Sequence, residues 1–179
     1  MKNSMKPENS SPPACVTIAP IASADIAACT EIYNYYIANT CITLEEDLLT
    51  AEDFAARVER ITKSYPYIAA HDASGRCIGY AYLDVFNTRS AYRCSADLSI
   101  YVDSTCRGGG IGQMLYDVIE RLGREQGIEN IISIITSDNA PSLRFHRKNG
   151  FTEVGILHDI AFKCGKYLDV SFLQKHIKE

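Results

Sequence analysis

The chain has 179 residues, 46% of them hydrophobic, with 18 basic and 22 acidic side chains and a net charge of −4. That composition describes one globular domain with a real core and argues against nucleic-acid binding, which calls for a basic surface. No apolar run is long enough to span a bilayer, and residues 1–14, polar and proline-rich, lack the apolar stretch of a secretion signal. They read as a disordered leader ahead of a single domain over 15–179, in the cytoplasm.

Val16 to Ile18 reads as a first strand. Ser23 or Asp25 can cap a helix through Ile26, Cys29, Ile32, Tyr33 and Tyr36. An extended piece, Thr40 to Leu44, follows, then Glu45-Glu46-Asp47, a solvated acidic run. Thr50 with Asp53 forms a capping box for a second helix to about Lys63. Pro66 forbids continuation. Tyr67–Ala70 and Cys77–Leu83 read as a hairpin turned by Ser74-Gly75. Tyr92 to Val102 is the next strand, and Ile111, Met114, Leu115, Val118, Ile119 and Leu122 give the following helix, to about Gln126, one apolar stripe. Asn130 to Thr136 is nearly continuous in apolar residues, the pattern of a strand covered on both faces. Asp138 or Asn139 caps a short helix to Lys148, and strands Phe151–His158 and Tyr167–Leu173 close the chain. The order β-α-α-β-β-β-α-β-α-β-β is an α+β layout, a mixed sheet flanked by helices.

Seven cysteines (Cys15, Cys29, Cys41, Cys77, Cys94, Cys106 and Cys164) form no C-x-x-C pair and no zinc spacing. They are expected to be free thiols, several of them buried as small apolar residues, and no metal is expected. Cys106 beside the glycine loop is either reactive or an ordinary loop residue.

Between strand and helix stands Arg107-Gly108-Gly109-Gly110-Ile111-Gly112, four glycines in five residues at a helix N-terminus. Free amides and the helix dipole suit such a loop to an anion, most often a phosphate; the alternative is a bare connector. A Walker A loop is excluded because no lysine stands where it must. A dinucleotide fingerprint lacks its third small residue, since Gly110-Ile111-Gly112 is followed by Gln113-Met114-Leu115.

The remaining pattern, Arg107-x-x-Gly110-x-Gly112 after a strand, resembles the R/Q-x-x-G-x-G/A loop of the GNAT superfamily of acyl-CoA-dependent N-acyltransferases. Asn139-Ala140-Pro141-Ser142-Leu143-Arg144-Phe145-His146, running on to Gly150-Phe151, is similar to that family's second signature. Ile32-Tyr33-Asn34, Arg89-Ser90-Ala91-Tyr92 and Lys163-x-Gly165-x-Tyr167-x-Asp169-Val170-x-Phe172-x-Gln174 resemble the phosphinothricin and methionine-sulfoximine/sulfone acetyltransferase branch. The resemblance implies a central mixed, mostly antiparallel sheet of about seven strands. It implies acetyl-CoA as co-substrate, a homodimer, and a small amino acid or analogue as acetyl acceptor. The coenzyme would lie against Ile100, Tyr101, Val102, Arg107, Gly108, Gly109, Gly110, Ile111, Gly112, Gln113, Asn139 and Ser142. A β-bulge of the family on the strand before the loop would present a backbone N–H to the thioester oxygen.

Asp97 stands at the branch's acidic position and is the candidate base for the acceptor amine; its other reading is a structural carboxylate. The branch carries Glu there, and the shorter Asp implies a proton passed through water. His146 occupies the place where many family members have a tyrosine that assists the departing thiolate; on local chemistry alone it is a packed residue. Arg89 and Tyr92 would bind an acceptor carboxylate, and Leu44, from this subunit or a partner, would line the pocket. Asn87 replaces a lysine of the phosphinothricin enzymes, which points away from phosphinothricin itself. His71, His158 and His176 read as ordinary. The competing functions are acetylation of a polyamine, an aminoglycoside or a protein N-terminus, and a non-catalytic CoA-binding regulatory domain.

Overall fold

A computed structural model describes residues 15–178, so the expected leader at 1–14 lies outside the described residues. Seven strands, β1 (Thr17–Pro20), β2 (Tyr67–His71), β3 (Cys77–Val85), β4 (Ser95–Val102), β5 (Asn130–Thr136), β6 (Thr152–Lys163) and β7 (Lys166–His176), form one sheet in the order β1-β2-β3-β4-β5-β7-β6. Every pairing is antiparallel except β4 with β5. The parallel pair follows from the helix between the two strands, which carries the chain back to the end where β4 began. Helices α1 (Ile26–Asn39), α2 (Ala51–Thr62), α3 (Ile111–Glu125) and α4 (Ala140–Lys148) complete the expected element order.

The period-2 alternation of β4 sorts the sheet into two cores. Ala96 and Leu98 turn to the face where Ile111, Leu115, Tyr116 and Ile119 of α3 and Leu143 of α4 are buried with Leu83 and Ile131. On the opposite face, α1 and α2 bury Tyr33, Tyr36, Phe54, Val58 and Ile61 against Tyr67 and Tyr80, with Tyr101 packed at the edge. The stripe of α3 is rotated from the periodicity reading. Tyr116 and Gly123 are buried, while Met114 is one-third exposed at the margin. Gly123 allows the close approach to β3, because a Cβ there would stand 2.8 Å from Leu83 Cδ1.

Thr50 and Asp53 form the expected box at α2, with Asp53 N–H donating to Thr50 Oγ1 at 3.1 Å. Asp25 precedes α1 but does not cap it. Its carboxylate accepts from Ala22 N–H at 2.9 Å and meets His71 Nε2 at 2.7 Å, which gives His71 a structural partner. Tyr92 lies in a single 3-10 turn, Ser90–Tyr92, rather than in β4. The last two strands form one longer hairpin, carried past His158 by an irregularity at Asp159, whose φ is +51°. The ladder of β4 with β3 runs unbroken from Val102–Gly79 to Ala96–Val85, so the expected bulge is absent there.

The expectation of free thiols is corrected at two positions. Cys41, just past α1, is bonded to Cys164 at the tip of the β6–β7 hairpin, 123 residues away. Nothing in the spacing could signal this, since tertiary packing alone brings the two Cα atoms to 6.5 Å. Cys29 and Cys77 are buried free thiols in contact, as small apolar residues would be.

Candidate active site

Strands β4 and β5 pair at only three positions, Ser95–Asn130, Ala96–Ile131 and Asp97–Ile132. Beyond Asp97 they part. β4 stays paired with β3 as far as Val102, and β5 stays paired with β7 as far as Thr136. The free edge of β4 from Leu98 onward therefore presents backbone polar groups to a gap inside the sheet, where backbone is otherwise paired. Ser133 Oγ borders the gap from β5, buried and without a partner. An orphaned hydroxyl and an unpaired strand edge suit an extended ligand carrying amide groups.

The gap widens into a cleft of about 500 Å³ between β4, the glycine loop and α4. Ile100, Tyr101 and Val102 border it, and the Tyr101 ring packs on the other face against Tyr33 and Tyr36, so its contribution here is backbone. Gly110 is the N-cap of α3 with φ +79°, and Gly108 has φ +85°. Both values are costly for any residue with a Cβ. A Cβ on Gly108, Gly110 or Gly112 would meet no protein atom within 4 Å, so the surface over the loop is bare. The first amides of α3 point into it. Arg107 borders the same space with its guanidinium 5.1 Å from the Tyr36 ring centroid, and the Tyr36 hydroxyl donates to Val102 O at 2.6 Å. Lys148, in the last turn of α4, adds a second cation that the sequence reading missed. Two cations and a helix N-terminus facing one bare hollow make an anion site of pyrophosphate character. Gly109 does not border the cleft.

Gln113 and Asn149 exchange side-chain hydrogen bonds at 2.7 and 3.2 Å, fixing the end of α4 against the start of α3 and so the width of the cleft. Asn139 Oδ1 caps α4 by accepting from Ser142 N–H at 3.3 Å, while the residue also borders both the cleft and the gap. His146 is buried, its ring edge-on to Phe145 and Phe151, and it borders the gap near Ile134 and Ser99. Burial holds its pKa below the ordinary histidine value. Its Nδ1 lies 2.8 Å from Ser142 O, and a carbonyl can only accept, so Nδ1 carries the proton and Nε2 offers a lone pair. Near pH 7 this histidine is an acceptor rather than a proton donor.

Asp97 sits at the vertex where β4 and β5 part. Its Oδ1 is buried without a hydrogen-bond partner. Burial first, and the charge of nearby Asp84 second, push its pKa up to about 7. A carboxylate poised there exchanges protons at physiological pH. The expected acceptor residues do not line the cleft. Arg89 is exposed in the β3–β4 connection, Tyr92 packs edge-on to Phe86 and is 41% exposed, and Leu44 is 43% exposed. Leu44 belongs to a strap between α1 and α2 whose Ile42 borders both cleft and gap. Lys163, which opens the block resembling the branch but had no role assigned to it, donates its ammonium to Thr43 O at 2.9 Å and Glu45 O at 2.7 Å. With the Cys41–Cys164 bond and the two bonds between Asn34 and Leu49, it pins the strap.

The family model of the GNAT acetyltransferase domain matches residues 18–172. The chain belongs to the GNAT family. Among curated GNAT relatives, the L-methionine sulfoximine/L-methionine sulfone acetyltransferase of Pseudomonas aeruginosa is 34% identical over 159 residues, covering 86% of this chain and 90% of the relative. The phosphinothricin N-acetyltransferase of Streptomyces viridochromogenes is 30% identical, covering 89% and 87%. The solved structure of a GNAT phosphinothricin acetyltransferase from Sinorhizobium meliloti, in complex with acetyl-CoA, superposes with a TM-score of 0.87 at 34% identity, over 90% of this chain and 88% of that one. The chain is accordingly an N-acetyltransferase of GNAT type.

The raised pKa of Asp97 carries a stability cost with a defined sign. Between its ordinary value of 3.8 and about 7 the folded chain holds a proton that the unfolded chain releases, so this group lowers stability as pH rises through that window. Asp97→Asn is expected to raise Tm at pH 8 by roughly 3 °C or more, with the gain vanishing near pH 4. Scanning calorimetry at the two pH values checks this, and a difference independent of pH would contradict it.

Proposed function

We propose that the protein uses acetyl-CoA to acetylate the free α-amino group of a small amino acid or analogue, of the methionine sulfone, methionine sulfoximine or phosphinothricin type, by direct attack in a ternary complex. The observation that carries this reading is the parting of β4 from β5, with an anion-suited cleft at one end and Asp97 at the vertex. The coenzyme pyrophosphate fits the loop amides of Gly108 to Gly112 with Arg107 and Lys148. The pantetheine amides fit the free edge of β4 and the Asn139 side chain. Acetyl-CoA in the Sinorhizobium relative supports the donor, and the names of the Pseudomonas and Streptomyces relatives support the acceptor class.

Asp97 takes a proton from the acceptor ammonium, through a water where the shorter side chain falls short, leaving a neutral amine to attack. Backbone N–H groups on the free edge of β4 stabilise the negative charge that develops on the thioester oxygen; collapse of the adduct breaks the C–S bond, leaves the acetyl group on nitrogen as an amide, and releases coenzyme A as the thiol, which takes up the remaining proton of the amine. His146, neutral with its lone pair at Nε2, orients the amine or receives its proton. Arg89 and Tyr92 hold the acceptor carboxylate and Leu44 bounds its side chain, from a strap fixed by Lys163.

The protein acts as a cytoplasmic homodimer with a small-molecule substrate and no membrane or nucleic-acid partner. No helix among the described residues is long and apolar enough to cross a membrane, and acetyl-CoA is an intracellular metabolite. The dimer is supported by the edge strand β6, exposed over nearly its whole length, and by Ile160, Phe162 and Tyr167, each more than half exposed. Sedimentation equilibrium is expected to give twice the chain mass; a monomer at micromolar concentration would overturn the dimer.

A thiol-release screen with acetyl-CoA tests the acceptor class. The sulfone and sulfoximine amino acids and their parents should be turned over, with the phosphinic analogues slower, and kcat/KM should fall at least tenfold when the carboxylate is amidated. Preference for polyamines, aminoglycosides or peptide N-termini would replace the proposed class, and no turnover with any amine would favour a regulatory CoA-binding role.

A further inference from the structure

We propose that the Arg60–Asp84 ion pair, outside the cleft, is the positioning device that sets the proton affinity of Asp97. This rests on Asp97 being the base. The β3–β4 ladder places Asp84 directly opposite Asp97, so the two side chains leave the same face of the sheet as neighbours. Their surroundings differ sharply. Asp84 accepts from Arg60 Nη1 at 2.9 Å and Nη2 at 2.7 Å, and from Val85 N–H at 2.7 Å. Asp97 has a buried oxygen with no partner at all. One carboxylate of the pair is thus bound at both oxygens by a guanidinium, and the other lies beside that charge in a poorly solvated place.

The remaining elements packed around Asp97 leave these two as the controlling charges. β3 also presents Tyr82, a phenol whose proton is held by burial. Arg57 of α2 is engaged with Glu45 and lies over Tyr33. β5 opposes Asp97 with Ile132, and β7 continues the row with Gln174, which donates to Asn130. Two effects of opposite sign therefore meet at Asp97. Asp84 raises its proton affinity, and Arg60, by compensating Asp84, limits the rise. Arg60 is half exposed, so solvent and salt weaken its share. The arrangement keeps the base protonatable near neutrality with charges that stand outside the cleft.

The test is the pH dependence of kcat/KM for the intact enzyme with its best amino-acid acceptor, alongside a carbon-13 NMR titration of the Asp97 carboxyl. Asp84→Asn is expected to move the acidic limb down by about half a unit to one unit, and Arg60→Gln to move it up by about half a unit. Arg60→Lys, which keeps the charge, should hold the limb near wild type. Opposite directions in the two variants are what loss of a merely structural ion pair would not produce, since both changes break the same bond. Shifts in the same direction, or none in either variant, would overturn the coupling and leave Asp97 as the base. An acidic limb unchanged in Asp97→Asn would overturn the base itself.

Discussion

Strand β4 keeps one partner from Ala96 to Val102 and the other for only three residues, and the working surface of the molecule depends on that inequality. Were the parallel pairing with β5 to continue past Asp97 and Ile132, the outward amides of Leu98, Ile100 and Val102, which β3 leaves free, would be consumed by the sheet. Because it stops, a strand edge that would cost energy if merely buried is left open to a ligand of matching polarity. The glycine loop follows directly on Val102, so the edge and the helix N-terminus lie in one line. α4, fixed by Gln113–Asn149, closes the far wall. Donor recognition as we propose it is a property of backbone more than of side chains.

The acceptor side that we propose is built on the opposite principle. Asp97, Asp84 and Arg60 are side chains from three elements, and their effect depends on burial and on charge at a distance. Leaving Asp97 without a partner forgoes stability that a paired carboxylate would have contributed, in exchange for a group that changes protonation near pH 7. His146, drained of charge by burial and fixed in one tautomer by Ser142 O, adds a second acceptor beside the gap. Neither group is a strong acid at neutral pH, which suits a reaction whose first requirement is to deprotonate an ammonium.

What the sequence disclosed and what it withheld divide along the same line. The capping box at Thr50, the glycine loop, the Asn139 cap and the existence of every strand, though not all of their ends, are readable, because each is written in residues a few positions apart. The Cys41–Cys164 bond, the Lys163 ammonium under the strap and the Arg60–Asp84 pair are not. Each joins residues 24 to 123 positions apart whose types have no local pattern. Lys148 carries no such signal either, since a cation in the last turn of a helix is equally well accounted for by the dipole. The rotation of the α3 stripe toward Tyr116 reflects an aromatic ring whose hydroxyl reaches Lys175 while its body fills the core, which a hydrophobic period does not register.

The claim that the parted edge of β4 and the loop after it form one continuous donor site is tested most directly by amide hydrogen exchange, with and without coenzyme A. Coenzyme A is expected to slow exchange together at Leu98, Ile100 and Val102, the alternate amides of β4 turned away from β3, and at residues 108–113, and to leave the β6–β7 hairpin unchanged. Protection confined to the loop, with the free edge of β4 exchanging as before, would contradict the account.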